Sequence, residues 1–378
     1  MIKSYEVLNF KSFKQSTVFD FSKTNYQMLA HTNIQNDILK GLMFVGANAS
    51  GKSNSIAPLK LLLDCLFGKN AINFDFYICL FSGIPMLNLK YNFVIDGSNI
   101  EYKIGYQKVD NLISEQLFVN EKQVLNREGS VAKLNLIEET VHTDVQKNIL
   151  FLREIYFSTK FRGNEVLQKW FEFLSNSVYV DIYHSSIVAY SDVDLSLKLF
   201  VENDGVEKFN KFFDEYNFNQ HVEYDNKAKG NMLTIESPEK IIYFKRKGID
   251  EPIPFMLESL GNKNLLNLLP AFFHCIENGG MLLLDEFSSG FHNELEELLI
   301  KYFMMKSSNS QLIFVSHSTN LLTNSLLRPD QIYSVDFDRN GSHIKRFSSE
   351  QPRVAQNLEK MYLSGVFNGV PNYDRQIK

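Results

Sequence analysis

The chain has 378 residues, of which 44% are hydrophobic and 22% charged, the composition of a folded protein with room for one large or two ordinary domains; a disordered chain is excluded. Lysine and arginine number 39 against 44 aspartate and glutamate, a net charge of −5, so no global basic field advertises nucleic-acid binding. The three cysteines, Cys65, Cys79 and Cys275, include no C-x-x-C pair, which argues against a disulfide framework, a zinc hook or an iron–sulfur site and for a reducing, cytoplasmic setting.

Taken in chain order, the opening Met1-Ile2-Lys3-Ser4-Tyr5-Glu6 has no apolar signal-peptide core. Ile2–Phe10 and Gln15–Phe21 alternate and carry aromatic or β-branched residues, which predicts two strands joined by a turn. A polar loop and an apolar strand, Leu42–Val45, follow. That strand runs into Gly46-Ala47-Asn48-Ala49-Ser50-Gly51-Lys52-Ser53-Asn54, a G-x-x-x-x-G-K-S pattern in the order strand, glycine loop, helix start that a phosphate cradle requires. Gly46 and Gly51 let backbone N–H groups converge on β- and γ-phosphates, and the helix adds its positive dipole end. Lys52 is then expected to reach the β/γ oxygens and Ser53 to ligate Mg²⁺, with Asn48, Ser50 and Asn54 as further members of a nucleotide-binding loop.

The helix should run through Leu59 and Leu63 to Gly68, with Pro58 removing one ladder bond and kinking its early turns. Asn88–Ile95, Ile100–Gln107, Leu112–Val119 and Lys122–Asn126 are strand-like, and Asp96-Gly97-Ser98 is a hairpin turn. These complete an N-terminal half over residues 1–138. Residues 139–230 read as mainly helical, with amphipathic pieces at Leu167–Leu174, Leu195–Phe200 and Val206–Phe213, either an insertion between two halves of a core or more of the core itself. Sustained heptads are absent, so no coiled-coil arm is expected. Residues 231–378 return to α/β alternation. The expected fold class is therefore α/β, a P-loop head with an N-terminal β-meander lobe and a mainly helical insertion.

Three segments of the C-terminal half carry chemistry. Phe255–Leu266 places Ser259 and Gly261 at the start of a helix, a second anion-binding end. It runs into the most apolar stretch, Leu265–Cys275, which Asn267, Pro270 and His274 interrupt and which is too short to span a membrane. Met281-Leu282-Leu283-Leu284-Asp285-Glu286 is an apolar strand ending in two acids, at the carboxyl edge of a parallel sheet where ligands bind. There Asp285 can hold the Mg²⁺ shell while Glu286 orients and deprotonates an attacking water. Such a pair alone is as readily a helix cap; its place downstream of the glycine loop is what makes it a Walker B strand. Gln311–Val315 then leads to Ser316-His317, where a neutral imidazole can bond the γ-phosphate or the attacking water. Glu294, Glu296 and Glu297 read as a solvated helix face, and Asp336-Phe337-Asp338 before Arg339-Asn340-Gly341-Ser342 reads as the mouth of a hairpin rather than a metal site.

On these motifs the chain resembles the ABC-type ATPase heads of recombination, chromosome-structure and overcoming-lysogeny (OLD) proteins, and more narrowly the AAA15-type ATPases of bacterial anti-phage and abortive-infection systems. The matching parts are Asn9-Phe10-Lys11-Ser12-Phe13, the Walker A loop, Ser259-x-Gly261 as signature, Asp285-Glu286, Ser288-Ser289-Gly290-Phe291-His292 as D-loop, and His317. Two tail runs also match, Leu327-Arg328-Pro329-Asp330-Gln331-Ile332-Tyr333 and Tyr362-Leu363-Ser364-Gly365-Val366-Phe367-Asn368-Gly369-Val370-Pro371. The likeness covers both ends of the chain and is weak in between. It implies ATP and Mg²⁺ as cofactors and a homodimer that buries two ATP molecules, each between one subunit's Walker A loop and the other's Ser259 and Gly261. Ser288 to Gly290 would connect the two sites, and Lys11 and Ser12 would lie near the nucleotide. The signature departs from LSGGQ at Glu258, Leu260 and Asn262-Lys263, and the Q-loop glutamine has three candidates, Gln107, Gln116 and Gln123, among which the sequence does not choose.

OLD-type proteins carry a nuclease domain after the ATPase, and the stretch after His317 is too short for one. The expectation is a slow, regulatory ATPase that gates a separately encoded nuclease or toxin in anti-phage defence. The alternative is a DNA-repair or recombination head that binds DNA directly, with Lys240, Lys245, Arg246 and Lys247 as its best basic cluster, although lysines also guard exposed edge strands. An ATP-binding scaffold without turnover is disfavoured by the intact Asp285, Glu286 and His317.

Overall fold

The computed structural model describes residues 1–370. Pro371, the last residue of the second tail motif, lies outside them. The alternating N-terminus forms β1 (Ile2–Leu8) and β2 (Thr17–Asp20), an antiparallel pair. A single-turn α1 (Ala30–Asn33) and the hairpin β3 (Ile34–Gln35) and β4 (Ile38–Leu39) lead to β5 (Gly41–Gly46), every residue of which is buried. Then α2 (Lys52–Phe67) runs unbroken through Pro58, and the carbonyls of Ser55 and Pro58 accept the hydroxyls of Tyr5 and Tyr91 at 2.7 Å each.

The predicted meander follows as β6 (Met86–Ile95), β7 (Ser98–Gln107), β8 (Leu112–Val119), β9 (Lys122–Glu128), β10 (Val131–Asn135) and β11 (Glu139–His142). With β1 and β2 it makes an eight-stranded antiparallel sheet in the order β11-β10-β9-β8-β7-β6-β1-β2. Its buried face carries an ion pair between cross-strand neighbours, Glu115 and Arg127, 2.7 Å apart and without exposure. The next helices, α3 (Phe151–Thr159) and α4 (Glu165–Ser175), cover that face. The N–H groups of Phe151 and Leu152, at the positive end of α3, donate to Glu115, and Trp170 of α4 packs on Phe93 and Tyr102.

The chain continues through β12 (Val178–Asp181), β13 (Ser186–Ala189), α5 (Leu197–Phe200), α6 (Val206–Glu215), β14 (Gln220–Lys229), β15 (Thr234–Arg246) and β16 (Ile253–Pro254). It closes with α7 (Leu260–Asn278), β17 (Gly280–Asp285), α8 (Asn293–Lys306), β18 (Ser310–Val315), β19 (Ile332–Asp338), β20 (Gly341–Arg346) and α9 (Leu358–Leu363). The central sheet has the order β13-β12-β17-β18-β5-β19-β20, parallel from β12 to β19 with an antiparallel strand at each edge. Both of its faces are covered, which explains the uninterrupted apolar runs. Leu42 and Phe44 face the core shared with α2 and the meander, while Met43 and Val45 face the core shared with α7 and α8. Among the described residues no helix is long and apolar enough to cross a membrane.

Two expectations need correction. Residues 139–230 are not simply a helical insertion: β11 extends the meander past residue 138, β12 pairs in parallel with β17 inside the central sheet, and β14 pairs with β15 of the following segment. Glu296 is not on a solvated face. It is 1% exposed, because it shares the buried stripe of α8 with Leu299, Ile300 and Phe303, whereas Glu294 is exposed. Asp336 and Asp338 do open the β19–β20 hairpin.

Candidate functional site

The parallel strands β5, β18, β17 and β12 lie side by side, so the loops leaving their carboxyl ends meet along one edge. A cavity of about 1000 Å³ opens there, and the glycine loop, the start of α2, and the ends of β12, β17 and β18 line it.

The glycine loop is built for an anion. Gly51 sits at φ 102°, and a Cβ there would stand 2.6 Å from Ser12 Oγ and closer still to Ser342 Oγ, so only glycine closes the turn. The N–H groups of Ala49, Gly51, Lys52 and Ser53 have no backbone acceptor, as donors at a helix start must, and are free to meet phosphate oxygens. Lys52 is 5% exposed, and its Nζ donates to the carbonyls of Gly46 at 3.0 Å and Ala47 at 2.7 Å. Burial brings its pKa down to about 8, with Glu286 and Asp285 pulling it up. An ammonium so placed, with only neutral carbonyls for close partners, fits the charge of a nucleotide's phosphates.

Next to it, Ser53 Oγ donates to Asp285 Oδ1 at 2.9 Å and the Tyr179 hydroxyl approaches Oδ2 at 3.5 Å. Burial, with Glu286 and Asp181 nearby, pushes the Asp285 carboxyl above its usual range, although the Ser53 bond opposes it. A hydroxyl and a carboxylate crowded by other acids suit a hard divalent cation, whose remaining ligands would be phosphate oxygens and water.

Glu286 follows in the left-handed region, at φ 54°. The turn is held by the Phe287 N–H donating to Val315 O at 2.9 Å and by the Glu286 N–H donating to Asp285 Oδ1 at 3.1 Å. This strained backbone turns the Glu286 side chain toward His317, whose Nε2 lies 3.5 Å from Oε2. Burial, then the Lys52 charge, depresses the His317 pKa against the pull of Glu286, which keeps the imidazole neutral near pH 7. The N–H of His317 donates to Ser288 Oγ at 3.1 Å, and Asn264 of α7 reaches Ser289 O at 3.5 Å, so the Ser288–Gly290 segment bridges His317 and the Ser259 helix.

The structure thus gathers Gly46, Asn48, Gly51, Lys52, Ser53, Asn54, Asp285, Glu286 and His317 around one cavity. Other expected residues stand off it. Ser50 is buried beneath the loop, 3% exposed. Ser12 braces the loop from behind, accepting from Asn54 at 2.8 Å and from Ser342 at 2.7 Å, and Lys11 points its Nζ over the Tyr77 ring, 4.6 Å from the centroid. Ser259 caps α7, accepting the Asn262 N–H at 3.3 Å, and neither it nor Gly261 lines the cavity. Glu258, which breaks the LSGGQ pattern, forms a two-pronged pair with Arg246 at 2.7 and 2.8 Å.

Gln107, Gln116 and Gln123 all lie on the meander and none lines the cavity. The strand beside β17 is instead β12, and Asp181, Tyr183 and His184 at its end line the site. A sequence signal for them existed. Val178-Tyr179-Val180-Asp181 repeats the apolar-strand-then-acid pattern of Leu282-Leu283-Leu284-Asp285. Tyr362 and Leu363 of α9 form another wall, and the Ala47 N–H donates to Gly369 O at 2.9 Å, which ties the C-terminal segment to the glycine loop.

Comparison with known proteins places this geometry. No curated protein matches the sequence. Among solved structures, a Smc head bound to the C-winged helix domain of ScpA is similar, with 15% identity, 91% of this chain and 97% of that chain covered, and a TM-score of 0.53. The SMC head domain from Thermotoga maritima is similar over 91% of this chain and 97% of its own at 16% identity, with a TM-score of 0.49. At these identities the likeness is one of fold. The matching family model spans residues 42–323, from the strand before the glycine loop to just beyond His317. The chain belongs to the P-loop ATPase family described as "AAA domain, putative AbiEii toxin, Type IV TA system".

Proposed function

We propose that this protein binds ATP with Mg²⁺ in the β5–β17 cavity, hydrolyses it slowly, and uses the cycle to control a separately encoded effector, a nuclease or toxin, in anti-phage defence. The observation that carries the reading is the convergence on one edge of a buried Lys52, the Ser53–Asp285 pair and the Glu286–His317 pair. Lys52 and the loop amides would bind the phosphates. Ser53 and Asp285 would hold Mg²⁺, which supplies charge neutralisation at the β- and γ-oxygens. Glu286 would take a proton from the attacking water, and the neutral His317 would bond the terminal phosphate or that water. Ser259 and Gly261, away from their own cavity, suit a nucleotide held by a second copy, and the Ser288–Gly290 bridge gives a route between the two sites. The family description, which names a toxin of a type IV toxin–antitoxin system, supports the defence setting.

Direct DNA binding is less well supported. Arg246 is committed to Glu258 and Lys245 to Glu223 at 2.8 Å, so half of that basic cluster is already paired with acids, while Lys240 sits over the Tyr224 ring. The test is the molar mass, by light scattering, of the Glu286→Gln protein purified with its neighbouring gene products in ATP and Mg²⁺. A dimer that Ser259→Arg prevents, with a second polypeptide retained, supports the proposal. A monomer under all conditions would sink it, and a bare dimer would move the output to the dimer itself.

A further inference from the structure

A second carboxylate–imidazole pair lines the cavity, on the far side of the acids from the glycine loop. Asp181 ends β12 in register with Asp285 of β17. Its Oδ1 accepts the N–H of His184 at 2.9 Å and its Oδ2 meets His184 Nδ1 at 2.7 Å. Tyr183 packs edge-on against the imidazole, with centroids 5.0 Å apart at 86°, and the Ile182 N–H donates to Asp285 O at 3.2 Å, fixing the turn to the Walker B strand. The His184 side chain is nevertheless 70% exposed. An exposed ring held from two sides gives up rotational freedom without gaining burial, which suits a group kept ready for a ligand.

Sheet order says which part of the ligand that is. Phosphates resting on the loop after β5 would extend across β18, which leads into His317, toward β17, whose end carries Asp285 and Glu286. The next strand, β12, therefore ends on the side of the terminal phosphate away from the loop, the side from which water attacks in line with the leaving diphosphate. The tautomer says how His184 would act. Both Asp181 oxygens are acceptors, so Nδ1 is the nitrogen that donates, and the tautomer this contact selects presents Nε2 as an acceptor. An acceptor has nothing to offer an ionised phosphate oxygen, but it can receive a hydrogen bond from water.

We propose that His184, oriented by Asp181, positions the attacking water through Nε2 while Glu286 takes its proton. The inference rests on the nucleotide-site reading above. It is tested by single-turnover ATP hydrolysis, ATP affinity and thermal unfolding of the full chain, in the wild type and in His184→Ala, His184→Gln, Asp181→Asn and Lys52→Ala. Losing one water-orienting contact should cost His184→Ala about 10- to 100-fold in hydrolysis with ATP affinity within about threefold. His184→Gln, whose amide oxygen is again an acceptor, should recover part of the rate. In Asp181→Asn the amide oxygen is held by the His184 N–H, so the NH₂ faces Nδ1, drives the proton to Nε2 and should lower hydrolysis as much as His184→Ala does. A His184→Ala protein that hydrolyses ATP at the wild-type rate overturns the proposal. So does one that loses rate, affinity and melting temperature together, because the pair would then be structural. Wild-type ATP affinity in Lys52→Ala would instead bring down the nucleotide-site reading itself, and the two failures are told apart.

Discussion

In the meander sheet, Glu115 meets Arg127 at 2.7 Å, the Tyr102 hydroxyl at 2.7 Å and the Phe151 N–H at 2.6 Å, while the Arg127 guanidinium also donates to the carbonyls of Gly129, Gln146 and Ile149. Neither side chain is exposed. At the edge of the central sheet, Glu286 reaches His317 only at 3.5 Å, about a third of each side chain is exposed, and the Glu286 backbone is left-handed. The first cluster has closed its hydrogen bonds internally, which is what a buried charge requires to be tolerated. The second leaves its acceptors and donors partly unmet and lowers the basicity of Lys52 and His317 by burial. Charge arranged to hold a fold is saturated, and charge arranged to act on a ligand is held short of saturation.

Breaking the saturated cluster should cost the most stability. Glu115→Ala strands Arg127 in the core and should destabilise the fold by about 3–5 kcal/mol, read by denaturant unfolding. A loss below about 1 kcal/mol would mean that water replaces the carboxylate and that the cluster is not closed. Glu286→Gln should do the reverse, cutting hydrolysis about 10²- to 10³-fold while shifting stability by less than about 0.5 kcal/mol, with ATP binding retained. Equal hydrolysis by wild type and Glu286→Gln would remove Glu286 from the chemistry.

Glu296 sharpens the comparison because it belongs to neither kind. It is buried with Oε2 unpartnered, and burial, reinforced by Glu297 and opposed by a bond from Ser318 and by His292, pushes its pKa up to about 7. A carboxyl whose folded pKa lies above its unfolded value near 4.3 binds more protons when folded, so it takes stability away as pH rises from about 4.3 to about 7. Glu296→Gln should therefore gain on the order of 1–3 kcal/mol at pH 8 and little at pH 4. An unchanged pH dependence in unfolding experiments would show that Glu296 is ionised and solvated.

The nucleotide cradle was legible because its logic is local. Strand, glycine loop and helix are contiguous from Phe44 to Asn54, and Asp285 with Glu286 ends a continuous apolar strand. The Asp181–His184 pair is legible only in part: Val178–Asp181 shows the strand-then-acid pattern, but it joins the site only when β12 pairs with β17, about a hundred residues later, and nothing near Val178 announces that partner. Lys11 and Ser12 rest on resemblance alone, and the fold shows Ser12 bracing the loop through Asn54 and Ser342. Glu296 was readable in principle. Its spacing to Leu299, Ile300 and Phe303 is the i, i+3, i+4, i+7 stripe of a buried face, but three acids in four residues suggested a solvated one.

The most direct test of the account is calorimetric titration of the protein with ATP and Mg²⁺, wild type against Lys52→Ala. Removing the buried ammonium from a charge-assisted contact should weaken binding by about 100-fold or more, with one nucleotide per chain bound by the wild type and the Lys52→Ala fold unchanged. Equal affinity in the two proteins would contradict the assignment of the β5–β17 edge as the nucleotide site.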